Sequence, residues 1–193
     1  MESTRQGFDF TAAMALLCQD IVERSLELQH IDMQRIALSV SQTRQDVSHG
    51  MYASLTPLRF ESGARRKKLR GIYWEVPPLL DDQGNEYLYL LSFYLPRFQN
   101  TSLEEKLSTV FHELWHISPA FDGDLRRHAG RYYAHGPSQR DYDAHMARLA
   151  QSWLGRNPPG HLYEFLSLDF KELIAEYGRV FGRRWPAPHL VRC

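Results

Sequence analysis

His112-Glu113-Leu114-Trp115-His116 is the stretch whose residue types and spacing can do chemistry. On a helix, residues four apart share a face, one turn above the other, so both imidazoles can grip one metal ion. The glutamate between them then lies where it can take a proton from a water on that metal. This HExxH pattern carries the chemistry of zinc-dependent peptide hydrolysis. Five residues match easily by chance, so the elements around them decide how much the pattern means.

Those elements predict a helix. Ser102-x-x-Glu105 has the form of a capping box, in which each side chain satisfies the other residue's amide. Leu103, Leu107, Val110, Phe111 and Leu114 then recur at three- and four-residue steps, an amphipathic stripe. Pro119 follows shortly after His116 and helps to end the helix.

A catalytic zinc usually takes three protein ligands and leaves one position open for water. After His116 the candidates for the third are Asp122, Asp124, His128, His135, His145 and Glu164. His135 stands just before a helix expected to open at Pro137, a rigid place to present a side chain. His128 falls in mid-loop. His145 is expected off the apolar face of that next helix, in solvent. His30, His49, His161 and His189 occupy turn-like or terminal contexts and read as structural or exposed.

The run Arg127-His128-Ala129-Gly130-Arg131-Tyr132-Tyr133-Ala134-His135-Gly136 resembles the SprT-like zinc metallopeptidase family. There, HExxH is followed by a His-x-Gly-Arg stretch and then by a His-Gly pair that opens the next helix. The resemblance covers residues 102 to about 154. It implies a zincin-like fold, Zn²⁺ as cofactor, a protein or peptide substrate, and a metal set of His112, His116 and His135 with Glu113 as general base. Two departures stand out. The loop between His116 and His135 is longer than in typical members. The zinc ribbon of many members is missing, since Cys18 and Cys193 are the only cysteines. The chain therefore looks like a minimal, phage-type or bacterial relative.

Bulk properties fit one globular domain over residues 1–193. The chain has 193 residues, 43% hydrophobic and 12% aromatic, enough for a sizeable core. Formal net charge is zero, so no global field favours nucleic acid or membrane. Two cysteines cannot build a disulfide scaffold. Residues 10 to 18, FTAAMALLC, superficially look like a signal-peptide core, but Glu2, Arg5 and Asp9 before them lack the net positive charge such a signal needs. Leu17 also stands before Cys18, where a lipoprotein signal would place a small residue. The longest apolar run, near Leu88 to Leu95, is too short to span a bilayer. The expectation is a cytoplasmic chain with no membrane partner.

The remaining pattern predicts an α+β order. A first helix, capped by Asp9 or Thr11, runs to about Leu28 with Phe10, Met14, Leu17, Ile21 and Leu28 on one face. Strands follow at Arg35 to Val40, Met51 to Phe60, Gly71 to Val76 and Tyr87 to Leu95, expected to form a small, mostly antiparallel sheet. The HExxH helix comes next, then an irregular stretch over 118 to 136. A helix from Pro137 to about Leu154 carries Tyr142, Met146, Leu149 and Trp153 on its apolar face. Asn157-Pro158-Pro159-Gly160 breaks the chain. A last helix starts at Asp169, capped with Glu172, with Leu173, Ile174, Tyr177, Val180 and Phe181 as its apolar face.

Three further expectations bear on substrate and partners. The aromatic strand from Tyr87 to Phe98 is either a core strand or one that runs along the cleft and pairs with an extended substrate. Arg131, Tyr132 and Tyr133 are loop candidates to stabilise the oxyanion. Arg65-Arg66-Lys67-Lys68-Leu69-Arg70 is the dense basic run. It could contact nucleic-acid phosphates in a DNA-associated protease, although such runs are more often a solvated strand connection. A metal-stabilised binding module without catalysis would have no need of Glu113.

Overall fold

The computed structural model describes residues 7–43, 50–127 and 139–193. In chain order the described elements are β1 (Phe8–Asp9), α1 (Phe10–Arg24), β2 (Ile36–Gln42), β3 (Ala53–Pro57), β4 (Arg66–Leu69), β5 (Ile72–Glu75), β6 (Tyr89–Leu95), α2 (Leu103–Trp115), α3 (Gln139–Leu154), α4 (Phe170–Tyr177), β7 (Val180–Phe181) and β8 (Val191–Arg192). This is an α+β arrangement. No described helix is long and apolar enough to cross a membrane.

The central sheet has the order β2-β6-β3. β2 runs parallel to β6, with Ile36 opposite Tyr89, and β3 runs antiparallel to it, with Leu55 opposite Leu91. The sheet is therefore mixed, not mostly antiparallel as expected. The near-continuous apolar run of β6 has a physical reason. Both of its faces are covered, so alternation would waste burial. Tyr89, Leu91, Phe93 and Leu95 point into the main core with α1, α2 and α3. Leu90 points the other way, into a smaller cluster with Ala37, Leu58 and Val76.

α1, α2 and α4 start where the sequence placed them, and Pro137, the expected start of α3, lies outside the described residues. Asp9 caps α1 by accepting the Ala12 amide at 3.0 Å. Ser102 and Glu105 form the reciprocal box on α2, and Asp169 and Glu172 form the same box on α4. Two ends differ from expectation. α1 stops at Arg24, because Ser25 turns extended, and Leu28 reaches the core from a separate 3-10 turn. α4 stops at Tyr177, where Gly178 takes φ 84° and its amide closes onto the Ile174 carbonyl. A positive φ there suits glycine alone at little cost. Val180 and Phe181 therefore leave the helix and form β7, parallel to β1.

One buried cation ties the C-terminal part to α2. Lys106 is 1% exposed and its Nζ donates to the carbonyls of Leu166 at 2.6 Å and Leu168 at 3.0 Å. Gln99 Nε2 donates to the Phe165 and Leu168 carbonyls, both at 2.8 Å. These bonds satisfy carbonyls that the short 3-10 turn Glu164–Ser167 cannot pair internally.

Candidate metal centre

α2 positions the HExxH residues through its buried stripe. Leu107, Val110, Phe111 and Leu114 are fully buried, which fixes the helix's rotation about its axis. His112 and His116 then emerge half-buried at the rim of that stripe. Their Nε2 atoms converge to 3.0 Å and their ring centroids lie 4.7 Å apart. Two nitrogens each about 2.1 Å from one tetrahedral zinc stand roughly 3.4 Å apart. The pair therefore fits one metal after an adjustment of a few tenths of an ångström. Neutral imidazoles are also the donors zinc favours.

Glu113 is 8% exposed. Burial pushes its carboxyl up to about 7, opposed by a hydrogen bond from the Leu55 amide. A carboxyl near neutrality can both take and return a proton, the property a general base needs. The Leu55 contact also locates the sheet's edge. β3 is the outer strand beside α2, and its Leu55 amide is directed at Glu113, away from β6.

Two lobes of one cleft meet at this point, with volumes of about 610 Å³ and 410 Å³. Met51, Ala53, His112 and Glu113 line both. Glu104, Thr109 and Asp143 extend the first lobe, and His116, Arg126 and Arg127 extend the second. β6 lies between β2 and β3, so neither of its edges can take a substrate strand. Of the two expectations for the aromatic strand, the core role holds, and the strand that borders the cleft is β3.

The segment after α2 is more ordered than the sequence indicated. Ile117 pairs with Leu125 across an antiparallel bridge. Arg126 closes the helix end: its amide donates to the His116 carbonyl at 2.6 Å and its Nε to the Trp115 carbonyl at 2.7 Å. Its guanidinium lies 4.1 Å from the centroid of the Trp115 ring. These contacts satisfy carbonyls left open at the C-terminus of α2. Tyr89 anchors the loop tip, its hydroxyl accepting from the Gly123 amide at 3.0 Å and donating to the Asp124 carbonyl at 2.8 Å.

This hairpin employs two of the third-ligand candidates. Asp124 accepts from Arg127 at 3.0 and 2.9 Å and from the Ser62 amide at 3.2 Å. Burial works against its charge, yet those bonds hold its carboxyl below the usual range. Asp122 accepts the Asp124 amide at 3.2 Å. Glu164 lines a separate cavity with Phe8, His161 and Tyr177. His145 is half-buried, its ring edge-on to Trp115 at 4.8 Å, and so is packed where solvation was expected. His30 is half-buried, with its pKa lowered by burial and by the charge of Arg126. His161 and His189 are exposed. His128 and His135 lie outside the described residues, as do Arg131, Tyr132, Tyr133 and His49. Among the described residues no three His, Cys, Asp or Glu side chains form a metal group.

Tyr142 is the residue that sequence reasoning missed. It belongs to the apolar stripe of α3, as its spacing indicated, but its ring lies 5.0 Å from that of His112 and 6.1 Å from that of His116. Burial, and then the charge of Glu113, raise its phenol above the ordinary range, so it stays protonated. The available signal was weak: a tyrosine on a buried stripe needs somewhere to put its hydroxyl.

Arg66–Leu69 of the basic run form β4, and all four of these residues are exposed. Arg65 pairs with Glu86 at 2.9 Å, Arg66 with Glu75 at 2.9 Å and Lys67 with Glu61 at 4.0 Å. Three of the cluster's five cations thus lie beside an acid of the fold, and one of those acids, Glu86, is shared with Arg59.

No protein-family model matches this chain, nor does any curated protein or solved structure.

Proposed function

We propose that this chain is a zinc-dependent metallopeptidase of the SprT-like kind, cleaving protein or peptide substrates at the cleft between α2 and β3. One observation carries the reading: two imidazole nitrogens converge beside a buried carboxylate in an open cleft. His112 and His116 would hold the metal, with His135 as third ligand on the strength of the SprT-like resemblance. When bound, Zn²⁺ polarises the scissile carbonyl and lowers the pKa of water toward neutrality.

The chain's own residues supply the remainder. Glu113 accepts a proton as the water oxygen bonds to the carbonyl carbon. It returns that proton to the amide nitrogen as the carbon–nitrogen bond breaks and the amine leaves. The Leu55 amide holds the carboxylate in place through this exchange. Apart from the Leu55 amide, which Glu113 engages, the outer edge of β3 is extended backbone along which a peptide strand could lie, so that main-chain hydrogen bonds would orient the substrate. Arg131, Tyr132 and Tyr133 stay the loop candidates for an oxyanion donor.

Elemental analysis of purified protein, beside His135→Ala and His128→Ala, tests the metal set. The expected result is one zinc per chain, lost in His135→Ala and kept in His128→Ala. Protein that takes up no zinc when supplied with it would end the reading. Hydrolysis of an unfolded protein substrate that survives intact in Glu113→Gln would end the general-base assignment.

A further inference from the structure

We propose that the ring of Tyr142 is a positioning element for the His112–His116 pair, an inference that rests on reading the pair as a metal site. The three rings form a closed triangle. His112 meets His116 at 4.7 Å and 76°, Tyr142 meets His112 at 5.0 Å and 76°, and Tyr142 lies nearly parallel to His116 at 6.1 Å and 25°. All three separations fall in the range where aromatic pairs attract. An imidazole free to turn about its two side-chain bonds presents its nitrogens in many directions. A ring wedged against both histidines removes most of those orientations before any metal arrives.

The wedge is held from outside the site. Tyr142 is 7% exposed and sits in the first turns of α3. Further along the helix, Met146 and Trp153 are each 1% exposed, and the Trp153 indole donates to Asp20 on α1 at 2.9 Å. α3 is thus anchored to the core and to α1 independently of the histidines. A side chain on such an element holds its neighbours more exactly than one on a loop can. Hydrogen-bonded partners that orient ligand histidines typically govern metal affinity by about 10–100-fold, and the ring of Tyr142 is expected to act on that scale.

The role assigned is that of the ring, not the hydroxyl, and this separates the variants. Tyr142→Phe should keep zinc affinity within about twofold, and Tyr142→Leu should lose about 10–100-fold, measured by competition with a chelator. The cobalt-substituted protein should keep its visible spectrum in the Phe variant and change it in the Leu variant. In metal-free protein, the imidazole proton signals of His112 and His116 should carry ring-current shifts that persist in Tyr142→Phe and vanish in Tyr142→Leu. Should the Leu variant fail to fold, Tyr142→Met fills the gap with a flexible apolar chain and makes the same test.

A folded Leu or Met variant with wild-type imidazole signals and wild-type affinity overturns the proposal. So does a Phe variant that loses as much affinity as Leu, which would move the role to the hydroxyl. If the wild-type protein takes up no zinc, the metal reading fails, and the imidazole signals of the metal-free proteins alone decide whether the ring positions the pair.

Discussion

α2 and the β4–β5 hairpin both carry many charged or ligating side chains, and they end in opposite surroundings. Lys106 on α2 is 1% exposed and bonded to two carbonyls. Lys67 on β4 is solvated, its nearest acid 4.0 Å away, and Lys68 beside it lies 5.5 Å from the centroid of the Tyr73 ring. Burial pulls the Lys106 ammonium down to about 8, with Asp169 and Glu172 resisting, whereas water screens the hairpin cations and leaves their interactions weak. The same contrast separates Glu113 from Glu75. One carboxyl is desolvated beside two converging imidazoles, and the other pairs with an exposed arginine. A dense run of charge therefore does not make a site. Desolvation and convergence do, and both depend on what packs over the run.

The largest effect is expected at Glu113. Glu113→Gln should lower kcat for peptide hydrolysis by about 10²–10⁴ while zinc content stays unchanged. A fall of only a few-fold would put Glu113 on a par with the hairpin carboxylates. Next comes the stripe that aims the histidines. Phe111 is 0% exposed, and Phe111→Ala should cost about 3–5 kcal/mol in urea unfolding through the cavity it leaves.

The buried lysine gives a pH signature with a definite sign. Its folded value of about 8 lies below the ordinary 10.5. Between those values the unfolded chain holds a proton that the folded chain has released, so stability rises with pH across that window. Denaturation midpoints from pH 7.5 to pH 10.5 should therefore climb in wild type relative to Lys106→Met. A flat difference would show that the ammonium is as well solvated as those of β4. Smaller again is the helix cap: Ser102→Ala should cost about 1 kcal/mol, since one first-turn amide loses its acceptor. The smallest effect belongs to the hairpin. Arg66→Gln should leave both the denaturation midpoint and hydrolysis unchanged, since water screens its pairing with Glu75.

Much of the site's scaffold was legible because the signals were local. The boxes at Ser102 and Asp169 and the stripe from Leu103 to Leu114 each act within a turn or two of helix. The errors fell where distant parts compete. Val180 and Phe181 fit the helical spacing of α4, yet they pair with Phe8 and Asp9, a partner no local pattern reveals. The hairpin over Ile117 to Leu125 looked irregular because Tyr89 and Arg59, far back in the chain, hold its tip. β6 read as aromatic and strand-like, and its composition alone could not say whether it lay at an edge or in the middle.

The sequence by itself determined that two histidines and a glutamate share one region of a capped, amphipathic helix, because helix period and capping depend on near neighbours alone. It determined too that an α+β chain with a sizeable apolar fraction surrounds that helix. The tertiary structure decided which strand borders the cleft, that Leu55 meets Glu113, that Tyr142 lies against both imidazoles, and that Arg65 of the basic run meets Glu86. Those contacts join segments far apart in the chain. They are selected by how whole faces pack together, and side-chain spacing along a single element holds no record of that choice.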